Sequence, residues 1–398
     1  MKPVFRWTVY AAIIAALLFA MVELALRALV VAHPQTGVQI FGRAALLPYR
    51  PSEASAREVV RDASAAAYVI RDADLGWTLK PNGRGGLYEA NDAGLRGRNG
   101  EHVDLHAPTG KVRIAVYGDS FTHGDEVSLE DTWPFRLGKR ASGLDVLNFG
   151  VPGYGMDQAY LRYERDGARF DAHIHMLCIW PEDIVRNLNV IRFYLIPHSN
   201  LSTSKPRLVL GADGRSLTRV NVPTMGDAEF LDTVLGRLVH PSMTHDAWYD
   251  ADDVAAHWLQ RPFTWRVAAG MQRAYQRKRD REAEYFQPGS EANRLAVAIA
   301  QEFAMRVTAA GGVPIITVIP AREYLDRHAA EGGWPLVRLL RDAGIEVIDL
   351  GPPIAQAVRV DGVQALFLPS GHMTALGNDR IAAALATRLS AVTPSAGR

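Results

Sequence analysis

The sequence has little that would indicate a disulfide-bonded or a nucleic-acid-binding protein. Its 398 residues contain a single cysteine, Cys178, so an intramolecular disulfide is excluded. The formal net charge is only +1, which gives no electrostatic reason to expect nucleic acid as a partner. No internal repeat is visible, and the composition, 48% hydrophobic and 22% charged, is that of an ordinary globular protein. A chain of this length can hold one large domain or two moderate ones.

Charge is also absent from a long N-terminal run, residues 7–22, and the sequence stays mainly apolar as far as residue 32. This length fits a membrane-spanning helix, which needs about 20 apolar residues. Lys2 and Arg6 precede the run and favour a cytoplasmic N-terminus. The alternative is a cleavable signal peptide, with a cleavage site at Val30-Val31-Ala32. We favour the anchor, and with either interpretation the rest of the chain is expected outside the cytoplasm.

Beyond residue 110, short apolar runs alternate with helical patterns. The predicted strands are 113–117, 145–149, 173–180, 314–319 and 346–349, and the main predicted helices are 132–142, 156–167, 291–310, 334–343 and 378–389. Strands that alternate with helices imply a mostly parallel sheet covered on both faces, an α/β fold. We therefore divide the chain into an anchor or signal segment (1–33), a linker and N-terminal extension (34–110) and an α/β domain (111–398).

An insertion at about 191–289 interrupts this alternation. It contains a predicted hairpin, 207–210 with 216–220, and a run of charged residues, 273–281, that we interpret as a solvated helix face. A basic binding surface is the alternative for that run. Insertions between a strand and the next helix often build the wall of a site, so we expect this one to shape substrate access.

The most informative motif is Gly118-Asp119-Ser120, which directly follows the apolar run 114–117. A strand that stops there places the serine hydroxyl at the carboxyl end of a sheet, the edge where ligands bind in open α/β folds. A hydroxyl needs a base to become a nucleophile, and His372, shortly before the last predicted helix, is the candidate. The alternatives are structural: Ser120 as a helix-capping residue and His372 as a surface residue capping the last helix.

Two further segments follow strands in the same way, Asn148 to Gln158 and Trp180 to Asn187. Together with the Gly-Asp-Ser motif and His372, this order resembles the SGNH (GDSL-type) hydrolase superfamily, specifically its bacterial membrane-anchored members. The resemblance extends to the Leu75-Gly-Trp77 segment before the domain and to the Lys205–Leu210 segment inside the insertion. It implies a flavodoxin-like three-layer fold and a serine-dependent reaction at ester bonds without a metal or an organic cofactor.

The resemblance also implies roles for individual residues. Ser120 matches the nucleophile, His372 matches the base that removes its proton, and Asp119 matches a residue that shapes the turn. Gly153 matches the glycine whose N–H joins that of Ser120 in the oxyanion hole. The substrate would be an acylated small molecule or polysaccharide of the cell envelope or the extracellular space.

Two positions depart from the family pattern, and the first concerns the oxyanion hole. A third donor is normally an asparagine in Gly-Asn-Asp, but here that position is Glu182, followed by Asp183. An ionised carboxylate cannot donate a hydrogen bond and repels an oxyanion. Glu182 would help only if protonated or turned away, and both acids are equally explained as caps of the following helix.

The second departure concerns the acid that orients the histidine. It usually lies two or three residues before the histidine, where this chain has Ser370 and Pro369. Asp361 or Ser370 could substitute for it. His123 and Asp125 lie just beyond the nucleophile, where they could line the pocket or replace a missing polar group.

These departures keep three functions open. The favoured one is an ester hydrolase that forms an acyl-enzyme on Ser120; the alternatives are a glycan O-acyltransferase and a non-catalytic glycan- or partner-binding protein with a degenerate triad. His173 and His175 share one side of a strand and could pair at a metal, but no third ligand with suitable spacing is evident. We therefore predict no metal site.

Overall fold

The computed structural model of the chain describes residues 3–33, 37–40, 44–196, 204–255, 262–330 and 333–390. Its centre is a five-stranded sheet formed by β1 (Val112–Tyr117), β2 (Leu144–Asn148), β3 (Ile174–Ile179), β4 (Val313–Val318) and β5 (Val347–Asp349). The spatial order is β5-β4-β3-β1-β2, and every neighbouring pair is parallel. This is the flavodoxin-like order. The predicted α/β class is confirmed, and each predicted strand lies within one residue of the observed bounds.

Helices cover both faces of the sheet, and the strand pattern explains why. Ala115 and Tyr117 of β1 belong to one apolar core, whereas Ile114 and Val116 belong to a second core on the opposite face. The helices of the first core are Met156–Asp166, Glu291–Ala309 and Pro335–Asp342, and those of the second are Trp133–Arg140, Gly351–Asp361 and Ala375–Leu389. The molecule therefore has three layers, with the sheet in the middle.

The remaining elements are short or lie outside this domain. Further helices are Pro3–Leu29, Glu53–Ser64, Ser120–His123, Pro181–Arg186, Arg192–Leu195, Asp227–Val234, Ala251–Val254, Phe263–Phe286, Leu325–Ala330 and Val363–Leu366. Short 3₁₀ turns are Leu129–Asp131, Gly167–Phe170, Pro241–His245 and Arg322–Tyr324. Small antiparallel sheets join Val30–His33, Gly37–Ile40 and Ala44–Leu46, then Val69–Asp72 with Gly76–Leu79, Arg84–Gly85 with Tyr88–Glu89, and Arg207–Leu210 with Leu217–Val220.

The N-terminal helix, Pro3–Leu29, contains a stretch of 25 residues, Phe5–Leu29, that is long and apolar enough to cross a membrane. At about 1.5 Å per residue it exceeds the roughly 30 Å hydrocarbon core of a bilayer. Its apolar side chains are exposed, as Trp7 and Leu17 illustrate. An N-terminal signal sequence would satisfy the same criteria.

The stretch that the sequence suggests is a linker contains ordered structure. The helix Glu53–Ser64 begins where the Ser52 side chain accepts a hydrogen bond from the Ser55 N–H. Its buried residues Ala56 and Val60 join the same apolar core as Tyr68. The boundary at residue 111 stays a prediction, but the extension before it packs on the domain.

The insertion contributes the hairpin predicted at 207–220 and a 24-residue helix, Phe263–Phe286. Our interpretation of the 273–281 run as a solvated face is wrong for three of its arginines. Arg273, Arg277 and Arg281 are four residues apart and share one helix face. The first two pair with Asp253 of the insertion, and the third pairs with Glu182. The spacing, rather than the number of charges, was the informative signal.

Candidate active site

The nucleophile turn is built by residues 118–124. The Asp119 side chain accepts a hydrogen bond from the Phe121 N–H at 2.8 Å and caps the short helix Ser120–His123. Gly118 has no room for a side chain, because a Cβ there would collide with Thr122 and the Cys178 carbonyl. The helix ends at Gly124, whose φ of 85° suits glycine. Asp119 therefore shapes the turn that presents Ser120.

The structure brings Ser120 and His372 together across 252 residues of sequence, with 3.0 Å between Ser120 Oγ and His372 Nε2. His372 lies in a tight loop closed by the Leu368 N–H, which donates to the His372 carbonyl at 2.8 Å. Its ring also contacts the ring of Phe121, with 5.1 Å between ring centroids. The 3.0 Å between Ser120 Oγ and His372 Nε2 is within hydrogen-bond reach for a serine and its base.

The other ring nitrogen of His372 contacts a residue that the sequence reasoning missed. Glu126 Oε1 lies 2.6 Å from His372 Nδ1. Glu126 has a φ of 65°, a left-handed conformation that is uncommon outside glycine, and its N–H donates to the Tyr88 hydroxyl at 2.9 Å. The only sequence signal was a pair of acids just beyond the nucleophile, of which we considered Asp125 alone.

The residues proposed from the sequence as substitute acids lie elsewhere. Asp361 pairs with Arg380, with 2.9 Å between Asp361 Oδ2 and Arg380 Nε. The Ser370 hydroxyl accepts a hydrogen bond from the His372 backbone N–H at 3.4 Å, so it contacts the chain and not the imidazole. Neither residue occupies the orienting position, because Glu126 reaches it from another loop.

His123 and Asp125 form a hydrogen-bonded pair with each other. His123 is fully buried, with Nδ1 2.5 Å from Asp125 Oδ1 and Nε2 2.5 Å from the Tyr68 hydroxyl. Burial lowers the pKa of His123, although the neighbouring Asp125 opposes this shift. Burial likewise raises the pKa of Tyr68.

Gly153 lies in the loop between β2 and the helix Met156–Asp166, residues 149–155. We call it the oxyanion loop after the role that the family resemblance implies for Gly153. The Val151 N–H donates to the Gly118 carbonyl at 3.0 Å and ties this loop to the nucleophile turn. Gly153 has a φ of 78°. Among the residues that the structure describes, neither the Gly153 N–H nor the Ser120 N–H has a hydrogen-bond partner. Both N–H groups are therefore free to donate a hydrogen bond to an oxygen of a ligand.

Glu182 and Asp183 are both paired with arginines. Glu182 Oε1 accepts from Arg281 at 2.8 Å, so the insertion helix neutralises this carboxylate. Asp183 accepts from the Trp180 N–H at 2.8 Å, which makes it a cap of the helix Pro181–Arg186, and from Arg186 at 2.9 Å. Burial and the neighbouring Asp119 raise the pKa of Asp183 well above its usual range. Neither side chain supplies an oxyanion donor in this arrangement.

The two histidines considered for a metal are separately engaged. His175 is buried, and its Nδ1 lies 3.2 Å from the Tyr117 hydroxyl. His173 Nδ1 lies 3.4 Å from the Arg113 backbone N–H. Among the described residues, no group of three histidine, cysteine or acidic side chains is arranged to hold a metal ion.

The comparisons with known proteins give a likeness to solved structures only. No family model matches the sequence, and no curated protein matches it. A member of the lipolytic protein G-D-S-L family from Veillonella parvula is 11% identical, with a TM-score of 0.34, over 70% of this chain and 99% of that one.

Two of the other structures are esterases. The acetyl xylan esterase AlAXEase is 11% identical, with a TM-score of 0.36, over 71% of this chain and all of its own. A catalytic mutant of an acetylxylan esterase from Geobacillus stearothermophilus is 10% identical, with a TM-score of 0.38, over 73% of this chain and 99% of that one.

Proposed function

We propose that this chain is a serine-dependent ester hydrolase in which Ser120, His372 and Glu126 form the catalytic triad. One observation carries the proposal: a hydroxyl, an imidazole and a carboxylate lie in a row at the carboxyl end of β1, with contacts of 3.0 and 2.6 Å. Glu126 restores the group whose absence from the usual position argued for a degenerate, binding-only site. The row is therefore chemically complete.

The reaction would proceed through an acyl-enzyme. His372 Nε2 takes the proton of the Ser120 hydroxyl as Oγ bonds to the ester carbonyl carbon, and the carbonyl electrons move to its oxygen. When the tetrahedral intermediate collapses, the bond to the alcohol breaks and His372 returns the proton to the leaving alkoxide. Water then attacks the acyl-enzyme in the same way and releases the acid. Glu126 keeps the proton-accepting nitrogen directed at Ser120 and stabilises the imidazolium.

The negative oxygen of the intermediate would be held by the backbone N–H groups of Ser120 and Gly153. Losing one such donor typically costs about 100- to 1000-fold in rate, so each of the two matters. Glu182, in the place of a third donor, contributes none, and its pairing with Arg281 keeps its charge away from the developing oxyanion.

For the substrate, we propose a small acyl group, such as acetyl, on a cell-envelope or extracellular glycan. This rests on the resemblance to membrane-anchored members of the superfamily and on the expected location outside the cytoplasm. The same acyl-enzyme passed to a sugar hydroxyl instead of water would make the protein an acyltransferase, and product analysis with an added sugar acceptor distinguishes the two.

We also propose that the N-terminal helix is retained as an anchor. The Glu23 carboxylate accepts from the Phe263 and Thr264 N–H groups at 2.6 and 3.1 Å and so caps the helix Phe263–Phe286. The Arg27 guanidinium lies 4.9 Å from the Phe263 ring centroid. Signal cleavage near residue 32 would remove both contacts. Mass spectrometry of the N-terminal peptide from the membrane fraction tests this, because a mature chain that begins near residue 33 would contradict it.

The catalytic proposal is tested with the full chain in detergent, 4-nitrophenyl acetate as substrate and a fluorophosphonate as a covalent probe. We expect Ser120→Ala and His372→Ala to lower kcat at least about 100-fold, and Ser120→Ala to abolish labelling. The matched controls are Ser216→Ala on the insertion hairpin and the exposed His102→Ala. A wild-type protein that is folded, inactive and unlabelled would overturn the proposal.

A further inference from the structure

The oxyanion loop has an unusual set of partners: three consecutive carbonyls each accept a hydrogen bond from a side chain outside the loop. Trp77 Nε1 donates to the Pro152 carbonyl at 2.9 Å. Arg192 Nη1 donates to the Gly153 carbonyl at 2.6 Å, and Arg186 Nη1 donates to the Tyr154 carbonyl at 2.8 Å. These three hydrogen bonds therefore hold the backbone around the Gly153 N–H in place.

The Trp77 bond acts on the peptide that carries the oxyanion donor. The Pro152 carbonyl and the Gly153 N–H belong to the same planar peptide and point in opposite directions. Fixing the carbonyl therefore fixes the direction of the N–H. A hydrogen bond to the carbonyl also polarises the peptide, which strengthens the N–H as a donor.

Trp77 is itself held firmly although it comes from the N-terminal extension. Its ring is buried, and its own carbonyl accepts from the Tyr154 hydroxyl at 2.6 Å. The Gln158 side chain donates to the Leu75 carbonyl at 2.7 Å. Gly76, which lies between Leu75 and Trp77 in the sequence, has a φ of 83°, and a side chain there would collide with the Ser204 carbonyl. The hairpin Val69–Leu79 is thus fastened to the oxyanion loop by Tyr154 and to the following helix by Gln158.

Arg192 adds charge at the same place. Arg186 pairs with Asp119 and Asp183, whereas Arg192 has no carboxylate within ion-pair distance among the residues that the structure describes. Arg192 is 9% exposed, and burial together with Arg186 lowers its pKa to about 9, so it is still a cation at neutral pH. The Glu182, Asp119 and Asp183 carboxylates oppose this lowering from beyond ion-pair distance, and they pair instead with Arg281 and Arg186. The Arg192 cation, beside the loop that would hold the oxyanion, therefore favours negative charge at that loop.

We propose that Trp77 and Arg192 are positioning residues of the oxyanion loop and replace the asparagine donor that Glu182 cannot supply. Trp77 directs the Gly153 N–H, and Arg192 holds the next carbonyl and provides positive potential. Neither touches the substrate. This inference rests on the proposed ester hydrolysis, and it makes the extension before residue 110 part of the active site.

The experiment compares Trp77→Phe and Arg192→Met with matched controls in the full chain. Trp248→Phe removes a buried indole N–H that donates to the Val185 carbonyl, and Arg162→Met removes a buried guanidinium that donates to the Gly94 carbonyl. We measure kcat and KM with 4-nitrophenyl acetate, and inhibition by an alkylboronic acid, which adds to the serine as a tetrahedral anion.

We expect Trp77→Phe and Arg192→Met each to lower kcat about 10- to 100-fold, because an indirect role should cost less than a lost donor. KM should change less than about twofold, and boronate affinity should fall by the same factor as kcat. Arg192→Lys should recover part of the loss, because it keeps the charge. If Trp77 and Arg192 had only a structural role, their substitution would lower the melting temperature, and kcat would not fall selectively while KM stayed nearly constant.

Unchanged kcat and boronate affinity in folded Trp77→Phe and Arg192→Met, beside an active wild type, would overturn the positioning role alone. Equal losses in the two controls would overturn it as well. If Trp77→Phe does not fold, the Arg192→Met and Arg192→Lys pair decides. A wild type without turnover or fluorophosphonate labelling overturns the proposed hydrolysis first, and the positioning role with it.

Discussion

The molecule contains two rows of hydroxyl, imidazole and carboxylate that differ mainly in their burial. In one, Ser120 contacts His372 and His372 contacts Glu126, at 3.0 and 2.6 Å. In the other, Tyr68 contacts His123 and His123 contacts Asp125, at 2.5 Å each. The two carboxylates are consecutive residues, so one turn of the chain serves both rows.

Exposure separates the two rows. The His123 side chain has no exposed surface, whereas those of His372 and Glu126 are 22% and 42% exposed. Burial lowers the pKa of His123 and raises that of Tyr68, which favours neutral groups and a fixed hydrogen-bonded state. The same three groups thus form a structural contact inside the protein and the proposed catalytic site at the sheet edge.

The buried row (Tyr68, His123 and Asp125) also supports the more exposed row (Ser120, His372 and Glu126), which we call the open row. Tyr68 lies at the start of the hairpin that carries Trp77, and His123 ends the helix that begins with Ser120. Asp125, fixed by His123, precedes Glu126, which holds its left-handed backbone with a hydrogen bond to Tyr88. The comparison predicts that changes in the open row reduce activity and changes in the buried row reduce stability.

The largest effect is expected from Glu126→Gln. The amide keeps the size of the side chain but can present an N–H to His372 Nδ1, which would favour the unproductive tautomer. Replacing the buried orienting acid of a serine protease lowers kcat about 10⁴-fold. Because the Glu126 side chain is 42% exposed, we expect kcat to fall about 100- to 10,000-fold here. The thermal unfolding midpoint should be unchanged.

Glu130→Gln is the matched control, since Glu130 lies four residues later and pairs with Arg98 at the surface. It should retain wild-type kcat. A Glu126→Gln variant with wild-type kcat would mean that the open row is a Ser120–His372 dyad, and that its carboxylate is as structural as the one in the buried row.

A smaller effect, on stability rather than on kcat, is expected from His175, a buried imidazole that has no carboxylate partner among the described residues. Burial lowers the pKa of His175 to about 4, below the value of about 6.5 expected in the unfolded chain. The unfolded state therefore binds more protons in this range, and the stabilisation is present above pH 6.5 and lost as the pH falls towards 4. This corresponds to about 3 kcal/mol of unfolding free energy.

His175→Gln should remove this dependence, because glutamine does not titrate there. Urea unfolding of the full chain in detergent at pH 7 and pH 4.5 measures the change, and the variant should lose clearly less stability on acidification than the wild type. Equal losses would show that burial of this imidazole does not control acid stability, and would weaken the same argument for His123.

The comparison also shows what the sequence could predict. The sheet was predictable because its apolar runs alternate with helical patterns. The position of Ser120 at the sheet edge was predictable because a strand ends directly before the Gly-Asp-Ser motif. The contacts of Glu126 and Trp77 were not predictable, since their partners are 246 and 75 residues away in the sequence. The arginines of the insertion helix were misinterpreted because the number of charges was considered and their four-residue spacing was not.

Tyr68→Phe should have a small effect on catalysis and tests the buried row directly. It deletes one hydroxyl and leaves His123 Nε2 without its partner in the interior, which should cost about 1–3 kcal/mol of unfolding free energy. We expect kcat to fall less than about tenfold, because the contact of Tyr88 with the Glu126 N–H is untouched. Tyr194→Phe, which removes a buried hydroxyl bonded to the Thr233 carbonyl, controls for the loss of a buried hydroxyl that belongs to neither row. If Tyr68→Phe lowers kcat as much as Glu126→Gln while remaining folded, the two rows act as one unit, and the buried one positions Glu126 for catalysis rather than only holding the fold together.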